Sequence, residues 1–297
     1  MPSPRPRSEP MTRPCPGPRA VTSRPGWKAP PGATDCHMHI FGPHDRYPLS
    51  PGRGYTPPEA GIALYREMLS TIGLERTVVV QPSVYGTDNR VTLDAVEALG
   101  RGRARAVVVV DESVDLPTLR AMGERGARGV RFNAVSGNGT PLEQLEALAD
   151  KLTTLGWHLQ LYAHAPEMVA LEPVLARLPC PVVIDHMGGV QAAEGGVENP
   201  GFRALIRLLE RGTWAKLCGY RSSAGAPYGD VAAMARAMIA AAPDRCVWGT
   251  DWPHPSLASP DEVPDDGVLL DALGTWAPRE AQRQAILVDN PARLYGF

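Results

Sequence analysis

From Ala33 onward, short apolar or β-branched runs alternate with longer stretches of helical period, each pair divided by Gly, Pro or Asp. Alternation with period two builds a strand, and apolar spacing of three and four builds a helix face. The strands predicted this way are 34–40, 76–81, 104–110, 129–132, 158–162, 182–185, 213–217 and 246–249. The helices predicted between and after them are 57–73, 88–99, 116–126, 142–155, 167–178, 201–211, 231–241 and 278–287. Eight strand-then-helix units predict an α/β fold whose parallel sheet closes into a (β/α)8 TIM barrel. An open doubly wound sheet would carry a glycine-rich first turn, and no GxGxxG follows the first strand. GxxxxGK[ST] is absent as well, which counts against nucleotide binding.

Composition trims the barrel to part of the chain. Residues 1–31 hold ten of the 31 prolines and six basic residues against one acid, with little to bury. That stretch is expected to be a disordered Pro/Arg-rich tail, leaving one domain over 32–297. The 266 residues after the tail carry 24 basic and 31 acidic side chains, a net −7. With −2 over all 297 residues there is no global basic field for a phosphate backbone, so nucleic acid is not an expected partner. No uncharged apolar run reaches the roughly 20 residues needed to cross a bilayer, and the start lacks a secretory apolar core. Five scattered cysteines without a CxxC pair read as reduced thiols, and the expected location is cytoplasmic.

In a barrel of this kind the active site lies at the C-terminal ends of the strands. Seven predicted strand ends carry polar chemistry: Asp35-Cys36-His37-Met38-His39, Gln81-Pro82-Ser83, Arg131-Phe132-Asn133, Tyr162-Ala163-His164, Asp185-His186, Arg221, and Asp251-Trp252-Pro253-His254. His37 and His39 are two apart, so both imidazoles point into the barrel if the strand is regular. Burying this many ionisable groups is costly unless they serve one another or a reaction.

Four separated pieces, 34–41 (TDCHMHIF), 129–133 (GVRFN), 185–188 (DHMG) and 249–255 (GTDWPHP), together with the ending 290–297 (NPARLYGF), give the chain a resemblance. It resembles the amidohydrolase superfamily, in the amidohydrolase-related group that contains lactonases acting on 2-pyrone-4,6-dicarboxylate. The resemblance implies a hydrolase that opens a small anionic lactone, with Asp251 as the general base that activates water. It implies that His37, His39 and His186 polarise the carbonyl and orient the water, or else bind a metal. Substrate contacts are expected from Ser83, Arg131, Tyr162, Arg221 and His254. Alternatives on the same parts are a lactone isomerase and a zinc-dependent amidohydrolase or decarboxylase.

Metal-dependent relatives take a further ligand from the fourth or fifth strand end, where this sequence has Arg131 and Tyr162. Tyrosine is a poor zinc ligand at neutral pH and a guanidinium repels a cation, so the expectation is no metal or other cofactor, unless His164 restores a ligand. Arg131 and Arg221 suit bidentate contact with a carboxylate, so a small-molecule anionic lactone or carboxylic acid is the expected partner. The dicarboxylate lactonases carry two further arginines, where this chain reads Ser136-Gly137 and Gly188-Gly189. The expectation is therefore a preference for one acid group over two, unless a loop arginine such as Arg46 or Arg53 compensates.

Overall fold

The computed structural model describes residues 12–136 and 138–297. Eight parallel strands are hydrogen-bonded in chain order: β1 (Thr34–Met38), β2 (Arg76–Val80), β3 (Ala104–Val108), β4 (Ala127–Asn133), β5 (His158–Tyr162), β6 (Val182–Ile184), β7 (Trp214–Leu217) and β8 (Cys246–Trp248). Between β8 and β1 the ladder gives way to a bridge of Met38 with Trp252 and two backbone bonds. Asp251 N–H donates to His37 O and His39 N–H to Trp252 O, each at 2.7 Å, and these close the ring.

Ten helices surround it: α1 (Ile62–Ile72), α2 (Arg90–Leu99), α3 (Leu116–Glu124), α4 (Leu145–Leu155), α5 (Ala165–Leu175), α6 (Pro200–Glu210), α7 (Ala232–Ala241), α8 (Asp266–Trp276), α9 (Glu280–Gln284) and α10 (Asn290–Tyr295). Side-chain caps start three of them, since Asp115, Asn199 and Asp265 accept from backbone N–H groups of the first turns of α3, α6 and α8. The hydrophobic pattern did not predict α8. It is buried around most of its circumference, from Asp266 to Trp276, so the polar stripe that marks a helix in sequence is missing.

Strand side chains divide by period two. Val79, Val130, Phe132, Leu159, Leu161, Ala215 and Leu217 face the helices and build the larger core. Cys36, Val78, Val80, Val107, Val183 and Val247 fill the barrel interior with Tyr295 of α10. Higher in the barrel the inward positions turn polar, with Gln160 of β5 and Lys216 of β7 fully buried.

Residues 12–31 correct the expectation of a disordered tail; residues 1–11 lie outside the described residues. Arg13–Pro14 pairs in parallel with Tyr55–Thr56. Farther on, Arg19 Nη1–H donates to Val263 O at 3.1 Å, Ser23 N–H to Asp265 Oδ1 at 3.0 Å and Gly26 N–H to Asp271 Oδ1 at 2.7 Å. The segment is held mainly by hydrogen bonds to α8 and its approach, which an apolar count does not register. Proline also lowers the entropy lost on fixing it.

Candidate active site

A bulge in β1 sets the first side chains. Asp35 pairs with Thr77 and Met38 with Val79, so Cys36 and His37 together oppose Val78. Cys36 faces the lower interior, while His37 and His39 meet above it with ring centroids 5.0 Å apart. Asp35 points the other way and fastens the bulge. It accepts from His37 N–H at 3.1 Å, Thr250 N–H at 3.0 Å, Thr250 Oγ1–H at 2.7 Å and Tyr65 O–H at 3.0 Å. Even with these donors, burial pushes its carboxyl up to about 6.

Close approach of β8 to β1 requires Gly249, because a Cβ there would lie 2.7 Å from both Cβ and N of His37. Two residues beyond it, Asp251 turns into the cavity with φ +63, a left-handed conformation that costs a non-glycine residue roughly 1–3 kcal/mol. Its Oδ1 lies 3.2 Å from His39 Nε2 and 3.5 Å from His37 Nε2. Its Oδ2 accepts from Tyr220 O–H at 2.6 Å and Arg221 Nε–H at 2.5 Å. Burial works to raise this carboxyl, but the Arg221 guanidinium above all holds it well below the usual carboxylate range. Asp251 is therefore ionised at neutral pH.

The three histidines are neutral there. Burial lowers His37 well below its ordinary value, with the Lys216 ammonium adding to it, and burial also lowers His39. His186, at φ +48, is pushed by burial down to about 3. Its ring lies 4.7 Å from that of His37 and stands edge-on to Tyr162 at 4.6 Å. Beneath them Lys216 Nζ donates to Gln160 Oε1 at 2.7 Å, lies 3.3 Å from Asp185 Oδ1 and reaches His37 Nδ1 at 3.4 Å. Gln160 Nε2–H donates to Asp185 Oδ2 at 2.8 Å. His37 Nδ1 also lies 3.4 Å from Asp185 Oδ1, so the ammonium and the carboxylate flank the same ring nitrogen.

His39, Ser83, Arg131, Tyr162, His186, Arg221 and Asp251 line a cavity of about 330 Å³, and His37, Asp185, Gln160 and Lys216 are buried outside its lining. Arg131 is buried, with Nε 3.5 Å from Asp185 Oδ2 and Nη1–H donating to Gln81 O at 3.3 Å. His254 departs from the expected set. It is fully buried and lies outside the cavity lining, with Nε2 3.1 Å from Asp266 Oδ1 and its ring edge-on to Tyr220. It backs the tyrosine that bonds Asp251 and does not reach substrate space. His164 is exposed at the N-terminus of α5 and adds no ligand.

Sequence reasoning missed Lys216, Gln160, Tyr220 and Tyr55. Lys216 had a signal: a lone charge at an inward position of the strand WAKL. Tyr220 stood beside the arginine that was chosen, and nothing local marked Tyr55.

The chain matches the amidohydrolase family over residues 34–297. It is 41% identical to a 4-sulfomuconolactone hydrolase of Hydrogenophaga intermedia, over 95% of this chain and 94% of that protein. It is 39% identical to a 2-pyrone-4,6-dicarboxylate hydrolase of Comamonas testosteroni, over 93% and 94%. A D-galactarolactone isomerase of Agrobacterium fabrum shares 33%, over 90% and 91%. Among solved structures, an Agrobacterium tumefaciens protein crystallised in the apo state superposes with TM-score 0.83 at 32% identity, covering 93% of this chain and 97% of that one.

Proposed function

Since the chain belongs to the amidohydrolase family, we propose that it hydrolyses a small anionic lactone with water activated by Asp251. The observation that carries this reading is an ionised carboxylate on the cavity floor, one oxygen open toward two neutral imidazoles and the other gripped by Tyr220 and Arg221. Water beside Oδ1 gives its proton to the carboxylate as its oxygen attacks the lactone carbonyl. The oxyanion that forms is met by the Arg131 guanidinium, with the neutral His186 imidazole beside it in the cavity wall. Collapse breaks the ring C–O bond, and the proton held by Asp251 returns to the departing ring oxygen. An acid group of the substrate that takes Arg221 as partner competes with Asp251 for the guanidinium, so the carboxylate regains basicity when substrate is bound. The names of the hydrolase relatives, both lactone hydrolases, fit this chemistry.

Zinc is the cofactor to test against the donor set. The spacing of His37, His39 and Asp251 would admit a divalent cation, and His37 Nε2 is buried without a hydrogen-bond partner. Charge weighs against it: two carboxylates, Asp185 and Asp251, already face three cations, Lys216, Arg131 and Arg221. A divalent ion would add to that excess. Arg131, Arg221 and the imidazoles supply the charge stabilisation, and no step passes through a metal. The five free cysteines fit a reducing, cytoplasmic compartment. Among the described residues no helix is long and apolar enough to cross a membrane.

The deciding experiment follows acid release from a panel of lactones, with elemental analysis before and after chelation. Stoichiometric acid release that survives chelation is the expected result. Rearrangement without acid release would instead favour an isomerase, and loss of turnover restored by zinc would overturn the metal-free reading.

A further inference from the structure

Three arginines line the cavity, from three stretches of chain: Arg131 at the end of β4, Arg221 after β7, and Arg13, an exposed residue of the N-terminal segment. Arg13 stands opposite Tyr55 in the short parallel pairing, and Tyr55 and Gly54 line the same cavity. A Cβ on Gly54 would lie 3.5 Å from Ser136 O, so this segment runs beside the wall where Ser136 stands. Ser136 is one of two positions where the dicarboxylate lactonases carry a cation and this chain does not. The other, Gly189, has no room for a side chain, because at φ +64 its Cβ would fall 2.2 Å from Ala163 O.

Nor do the loop arginines fill the gap. Arg46 is spent on Asp94 at the surface, and Arg53 bonds Thr56 Oγ1 and Ser50 O. Arg13, in contrast, is delivered by a segment fastened on both sides of it. Thr12 Oγ1 is 2.8 Å from Thr56 Oγ1, and Cys15 N–H donates to Thr56 O at 3.2 Å. Arg13, Cys15 and Arg221 all line this one cavity.

The geometry points to Arg13 as the residue that recognises a second acid group on the substrate, a carboxylate or a sulfonate, while Arg221 holds the first. This rests on the lactone hydrolase reading and names its substrate class: a lactone with two acid groups, against the single group expected from the missing arginines. An N-terminal segment thereby replaces cations that relatives carry on barrel loops.

Binding tests it independently of turnover. Calorimetry compares benzoate, isophthalate and 3-sulfobenzoate on the wild type, Arg13→Met and Arg13→Lys, with kcat and KM measured in parallel on lactones bearing one and two acid groups. In the wild type both two-acid ligands should bind more tightly than benzoate. Arg13→Met should weaken them tenfold or more while benzoate stays within about twofold, as expected for one charge-assisted contact. Arg13→Lys should recover part of the loss, and the lactone with two groups should lose KM with kcat nearly unchanged. Equal losses on all ligands, or none, would overturn the assignment. A preference for isophthalate alone would narrow the second group to carboxylate, and for 3-sulfobenzoate alone to sulfonate. Should no lactone release acid while Arg13→Met still loses the two-acid preference, the hydrolase reading fails and this site stands.

Discussion

Lys216 and Asp185 face each other at 3.3 Å inside the barrel, and neither side chain reaches solvent. Removing Lys216 takes the nearest cation from a buried carboxylate and leaves it only Arg131, so Lys216→Met should lower stability by up to about 3–5 kcal/mol. Urea unfolding of Lys216→Met and of the Lys216→Met/Asp185→Asn pair separates two effects. The double variant should regain part of the lost stability, because Asp185 no longer carries a charge without its ammonium, while Arg131 loses its carboxylate partner. Its turnover should stay depressed, because both charged neighbours of His37 Nδ1 are gone. Recovery of both would deny Lys216 any role in setting His37.

Replacing Asp251 by Asn keeps the shape and removes the proton acceptor. Turnover should fall by about 10²–10⁴, with ligand affinity within a few-fold. Tyr220→Phe deletes one of the two donors to Oδ2 and lets the Asp251 carboxyl rise. The acid limb of the rate profile should then move toward neutral pH with only a modest loss of maximal rate. An unmoved limb would remove Tyr220 from the control of Asp251.

Stability should fall as the solution is acidified below neutral. Burial lowers His158 and His186 to about 3 each, so from about 6.5 down to 3 the unfolded chain binds protons that the folded one refuses. Asp35, raised to about 6, acts in the opposite sense between about 4 and 6, since there the folded chain holds the extra proton. His37 and His39, also held neutral by burial, act in the same sense as the other two, so the histidines outweigh Asp35 and stability falls as pH falls across that window. Denaturant melts at pH 7, 6, 5 and 4 measure the slope. A flat profile would mean these histidines are not buried neutral.

The strands were legible because most are short apolar or β-branched runs that end in polar residues, and β5 was read with both of its ends correct. Strand ends then pointed to Asp251, His37, His39 and His186, which do converge. Lys216 escaped because attention to strand ends passes over the middle of a strand, where a lone charge is the stronger anomaly. His254 was misplaced because sequence cannot say that after Asp251 the chain turns away, with φ again positive at His254. The N-terminal segment was misjudged for a different reason: its anchors are backbone groups and distant acids, to which composition is blind.

The bonds that join β8 to β1 are carried by the backbone of His37, His39 and Asp251 themselves, the residues whose side chains make up the reacting cluster. These strands come from near opposite ends of the chain, so their pairing closes the longest loop between neighbouring strands of the barrel and bears the largest entropic cost of any of its strand pairings. Recovery of activity during refolding therefore times the final suture of the ring. The rest of the sheet can regain its circular dichroism earlier, leaving a half-built enzyme that has its scaffold and no reaction centre.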